Sequence, residues 1–130
     1  MAVPKTSLSA GAIIRAVLLQ SNEITTRTNK IFPVVTDSAE LPYIVYRRAE
    51  MEVTPQKSGQ PGADIVHIEL LCFTARYSEG VELAEAVRST LDCISAEHDG
   101  MSMRSCYLTA SEESYQDDAY VQQLVFSIKI

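Results

Sequence analysis

The chain has 130 residues and a mass of 14.4 kDa, which is room for one domain and no second core. A composition 46% hydrophobic and 22% charged is that of a globular protein and excludes disorder, collagen and coiled coil. Eleven Lys plus Arg against seventeen Asp plus Glu leave a formal charge of -6, which opposes attraction to phosphate and disfavours a DNA reader.

Ser7 is placed to cap a first helix over residues 8–20, where Leu8, Ala12, Ile13, Ala16, Val17 and Leu19 recur at three- and four-residue steps. Arg15 interrupts this stretch, and no basic flank or small-residue cleavage site accompanies it, so neither a signal peptide nor a membrane span is expected. Gly11 weakens the helix and makes it dependent on packing against a sheet. Ser21, Asn22 and a Thr-rich stretch then break the pattern. Lys30 to Val35 reads as a short extended run, and Pro33, which cannot donate to a ladder, places that strand at an edge.

Leu41-Pro42 introduces the β-branched and aromatic block Tyr43-Ile44-Val45-Tyr46, which opens a strand running to Val53. Thr54 to Ala63 hold Pro55, Gly59, Pro61 and Gly62 among polar residues, so the chain turns there. Asp64 to Arg76 alternates, with Val66, Ile68, Leu70 and Cys72 on one face and His67 and Glu69 on the other, and closes a long antiparallel hairpin. Ser78 is the expected cap of a second helix over residues 79–94, with Glu79 and Glu82 at its positive end and a buried stripe of Ala84, Val87, Leu91 and Ile94. Glu97 to Gly100 ends the helix. Met103 to Thr109 and Ala119 to Ile130 form a second hairpin around an acidic turn holding Glu112, Glu113, Asp117 and Asp118. In the last strand Tyr120, Leu124, Phe126, Ile128 and Ile130 share a face on which Gln122 is the exception. The expected fold is a single α+β domain over residues 1–130, a mainly antiparallel sheet with two helices on one face in the order α-β-β-β-α-β-β.

Residues that could carry chemistry do not converge. His67 in mid-strand and His98 in the polar turn share no local pattern, and the three cysteines, Cys72, Cys93 and Cys106, have no CxxC spacing and cannot all pair within the chain. Free thiols in a reducing compartment are the simplest reading. Cys72 lies among Leu70, Leu71 and Phe73, a setting for packing rather than for a nucleophile. No GxSxG, P-loop or GxGxxG occurs, and the acidic turn has no EF-hand spacing. Arg47 and Arg48, adjacent in a strand, point to opposite faces. No catalytic, cofactor-binding or metal-ligating residue is assigned, and no cofactor is expected.

Four blocks in order resemble the tail-completion family of long-tailed bacteriophages and prophages, which includes tail terminators and tail-to-head joining proteins. They are an N-terminal helix followed by Ile31-Phe32-Pro33; the block Leu41-Pro42-Tyr43-Ile44-Val45-Tyr46; Leu71-Cys72-Phe73-Thr74 with the helix Tyr77-Ser78-Glu79-Gly80-Val81-Glu82-Leu83-Ala84-Glu85-Ala86-Val87-Arg88; and an acidic turn before Tyr120 and a hydrophobic strand. The similarity spans Leu8 to Ile130, fits least over residues 95–106, and lacks an aromatic ending at Ile128-Lys129-Ile130. The resemblance implies a non-enzymatic virion part whose copies form a ring, often sixfold, on the head-proximal end of the tail tube. Its partners would be further copies of itself, the tail tube protein and the head connector, with no membrane and no specific nucleic-acid binding. Assembly in the host bacterial cytoplasm and residence in the virion tail follow from the same resemblance.

A ring needs an open sheet edge or an apolar patch on each subunit. The candidate surface is the strand bearing Ile31, Phe32 and Pro33, the loop bearing Pro55, Lys57 and Gln60, and the exposed face of the last strand. Glu112, Glu113, Asp117 and Asp118 are the candidate acidic lining of a conduit, repelling passing DNA. Two other classes compete: a cytosolic α+β binding or adaptor domain, and a small hydrolase or metal enzyme, which would need a pocket joining His67 or His98 to a carboxylate and a cysteine.

Overall fold

The alternation from Val66 to Cys72 builds the middle of the molecule, because successive side chains of a strand point to opposite faces and only one face is apolar enough to bury. The structure, a computed structural model, describes residues 3, 5–34, 40–53 and 64–130. A 3-10 turn (Ser7–Ser9) leads into α1 (Ala10–Leu19), the short α2 (Asn22–Thr25), β1 (Ile31–Pro33) and β2 (Tyr43–Glu52). β3 (Ile65–Thr74), α3 (Tyr77–Leu91), β4 (Ala96–His98), β5 (Met101–Met103), β6 (Ser105–Gln116) and β7 (Ala119–Lys129) follow. The sheet order is β1-β2-β3-β7-β6, antiparallel throughout except that β1 runs parallel to β2, and β4 and β5 form a separate two-stranded hairpin.

The α+β fold with a mainly antiparallel sheet is therefore as the sequence pattern implies, and β1 lies at an edge as Pro33 requires. One core joins α1 and α3 to the sheet face carrying Ile44, Val66, Ile68, Leu70, Cys72, Leu124, Phe126 and Ile128. Gly80 lets α3 lie close against the sheet: a β-carbon there would meet Thr74 Oγ1 at 2.9 Å. Thr74 is itself fixed by donating its hydroxyl to the Arg76 carbonyl.

Several boundaries differ from the sequence expectation, each for a local reason. The Thr-rich stretch contains α2, closed by Thr25 and Thr26 hydroxyls bonding carbonyls four residues back, with Ile24 buried beneath it. Helix α3 spans Tyr77–Leu91 rather than 79–94, with Arg76 as its N-cap and Ser78 inside it. Its buried side chains are Leu83, Ala86, Val87 and Leu91, whereas Ala84 and Ile94 are half-buried at the margin of the core. Strand β6 runs on to Gln116, so Glu112 and Glu113 stand in a strand opposite Gln123 and Gln122, and only Asp117 and Asp118 form the turn. Both turn residues have positive φ, 52° and 62°, which aspartate tolerates better than bulky residues. The loop over residues 54–63, including Pro55, Lys57 and Gln60, lies outside the described residues.

Phe126 is the largest fully buried side chain, at the point where β7 meets both β3 and β6. Phe126→Ala should lower unfolding stability by about 3–5 kcal/mol, checked by urea titration followed by circular dichroism.

Candidate functional site

The side chains most able to do chemistry are dispersed or sealed. Cys72 is fully buried and its thiol is pushed up to about 12 by burial, and Cys106 is also buried and pushed up to about 12 by burial and then by the Asp92 charge. His67 Nε2 lies 3.0 Å from Glu52 Oε2 on the solvent face, with no cysteine there. Among the described residues no group of three or more His, Cys, Asp or Glu is placed to hold a metal ion. No helix among them is long and apolar enough to cross a membrane. The distinctive features are instead the two borders of the sheet, which are built differently.

At one border, β1 presents little to pair with. Parallel pairing uses Lys30 O and Val34 N–H toward β2, so alternation turns Ile31 and Pro33 backbone groups outward. Pro33 has no N–H, and Arg15 Nε donates to Ile31 O at 3.2 Å. The Ile31 side chain is in the core at 2% exposure, so it shapes this border through its backbone alone. Phe32 lies half-buried on the opposite sheet face, 6.3 Å from the Tyr43 ring, which stacks on Phe73 at 4.7 Å. Beyond β1, Arg47 forks onto Glu69 at 3.1 and 3.3 Å, and Arg48 donates to Leu8 O at 2.8 Å. Lys30 Nζ donates to Glu40 O. Arg15, Lys30 and Arg48 therefore bond backbone carbonyls and have no carboxylate partner among the described residues. Among the described residues the unpaired side-chain charges beside β1 are therefore those of three cations.

At the other border, β6 is closed in its first half and open in its second. Cys93 N–H donates to Cys106 O at 2.7 Å, and Leu108 N–H donates to Asp92 Oδ1 at 3.0 Å, so the segment after α3 covers the outer edge up to Leu108. That backbone hydrogen bond is the main reason the Asp92 carboxyl sits below the usual carboxylate range. A register shift at Thr109 follows, and every residue from Thr109 to Asp118 is exposed. From Ala110 to Gln116 the outer edge has no backbone partner among the described residues. The stretch from Thr109 to Asp118 contains Glu112, Glu113, Asp117 and Asp118 and no Lys or Arg. Among the described residues this edge has no lysine, proline or covering loop of the kind with which proteins blunt unpaired strands.

Gln122, the polar residue in the apolar face of β7, is what ties this border to the helix. It is 7% exposed, and its Nε2 donates to Glu113 Oε2 at 2.9 Å, while the Tyr77 hydroxyl of α3 donates to the same oxygen at 2.9 Å. Hydrogen bonds from Gln122 and then Tyr77 hold the Glu113 carboxyl below its ordinary range, and the bond to Glu113 holds the Tyr77 hydroxyl above its own. Tyr120 packs edge-on between Tyr77 and Tyr115, with centroids 6.0 and 4.9 Å away. Alternation marked Gln122 as anomalous, but its cross-strand partner emerges only from the β6–β7 register.

A family model described as Tail completion protein gp17 matches residues 12–130. Among solved structures, a chain from the virion of a native gene transfer agent particle superposes with a TM-score of 0.79 at 14% identity, covering 95% of this chain and 98% of that one. At that identity the likeness is one of fold. No curated protein matches the chain.

The folded pKa of Glu113 lies below its unfolded value of about 4.3, so this network stabilises the fold above that pH and its contribution is lost as pH falls through the folded value. In carboxyl-carbon NMR titrations Glu113 should titrate below the ordinary glutamate range, and Tyr77→Phe should move it upward.

Proposed function

We propose, from the premise that this chain belongs to the tail completion protein gp17 family and serves a structural role in a phage-type tail, that its copies form a ring on the tail tube. The ring, a hexamer in the simplest case, sits at the head-proximal end of the tube, stops its growth and offers a surface to the head connector. Its partners are further copies, the tail tube protein and the connector, met in the cytoplasm of the host bacterium before the particle is complete.

The observation that carries this reading is the unlike build of the two sheet borders. They lie at opposite ends of the order β1-β2-β3-β7-β6, so contact between them is head-to-tail and can repeat around an axis. A rotation between subunits that closes gives a ring; one that does not gives a filament. The exposed β6–β7 hairpin end, with Asp117 and Asp118 at its turn, supplies the acidic lining for the conduit. Negative charge there repels the DNA that must pass. Glu113 suits that lining less well, because its carboxylate is engaged by Gln122 and Tyr77.

Purified protein incubated with tail tubes should appear in negative-stain electron micrographs as rings at one tube end, and tubes so capped should not lengthen when tube protein is added. A chain that leaves both tube ends bare and growth unchanged would count against the role and favour an adaptor domain.

A further inference from the structure

The two borders are matched in charge, direction and height, as well as being unlike. Residues directly opposite one another across the strands define rows, and one row reads Ile31, Ile44, Cys72, Gln122, Glu113. The next reads Phe32, Val45, Leu71, Gln123, Glu112. Glu112 and Glu113 therefore stand level with β1 at the far end of the sheet. Strand β6 runs opposite to β2, and β1 runs with β2. A second copy set beside the first, unshifted along the strands and with its helices on the same side, thus brings its β1 antiparallel to the open half of β6.

The groups that meet in that arrangement are complementary. Open β6 carries Glu112 and Glu113 one on each face, neither in an ion pair among the described residues, with Glu113 also accepting from Gln122 and Tyr77. The β1 border carries Lys30, Arg15 and, just beyond, Arg48, none with a carboxylate partner among the described residues. Pro33 and the Arg15 bond to Ile31 O deny β1 a full hydrogen-bond ladder, so charge rather than backbone pairing selects the contact. We propose that the Ala110–Gln116 edge of one copy docks on the β1 border of the next, with Glu112 and Glu113 facing Lys30 and Arg15. This contact rests on the ring reading above and names the surfaces that make it.

Charge reversal tests it with the full chain. Glu112→Lys alone and Lys30→Glu alone should each weaken self-association by about tenfold or more in sedimentation velocity, with or without tail tubes, since like charges then meet. The chain carrying both reversals should regain association, because the opposite charges are exchanged rather than lost. Circular dichroism melts identify any variant that is merely unfolded, and Glu112→Gln with Lys30→Gln, which should weaken association less, serves as the milder pair. Single reversals that associate like the unmodified chain, or a double reversal as weak as the singles, would overturn the contact. Reversals that abolish tube docking while leaving self-association intact would overturn it too and assign the edge to the tube protein. An unmodified chain that stays monomeric even with tubes would instead remove the ring reading itself.

Discussion

The burial of a single sheet face is the constraint from which the other features follow. Val66, Ile68, Leu70 and Cys72 of β3 and Leu124, Phe126 and Ile128 of β7 can leave water only if helices cover them, and α1 and α3 do so within one core. A sheet covered this way still has two lateral borders, and burial of a face does nothing to satisfy the backbone groups along them. The chain handles them unequally. At β1 a proline and an arginine quiet the edge, and along the first half of β6 the segment after α3 does so through Asp92 and Cys93. The second half of β6 is left bare among the described residues.

Polar groups tie the bare half to the rest of the fold. Gln122 occupies a position in the buried face of β7 that alternation reserves for an apolar side chain, and Glu113 of β6 satisfies it while also accepting from the Tyr77 hydroxyl of α3. A buried amide without such a partner would carry a desolvation cost, so the network couples the position of the open strand to the start of the helix. Gly80 permits that helix start to lie against Thr74, beside the same glutamine. An edge held in this way presents Glu113 at a height set by the β6–β7 register.

Much of this organisation was legible in the residues. Alternation located β3 and its buried face, Pro33 placed β1 at an edge, and the Leu41 to Tyr46 block opened β2 where it begins. The losses were local. Reading Ser78 as a cap placed the start of α3 two residues late, because Arg76, whose side chain makes no cap bond, is the residue at which the extended backbone gives way to the helix. The polar composition from Glu112 to Asp118 reads as a turn, yet strand pairing with β7 carries it as far as Gln116, since an exposed antiparallel strand needs no apolar face of its own.

The amino-acid order by itself determined the class of fold and the family likeness, because these depend on periodicities and blocks that are local in the chain. Only the tertiary structure decided that Glu112 and Glu113 stand level with Ile31 and Phe32, that Asp92 closes one half of β6, and that Gln122 meets Glu113. Those relations join residues from 9 to 80 or more positions apart, set by strand order and register, which are properties of how elements pack together and have no signature in any one of them.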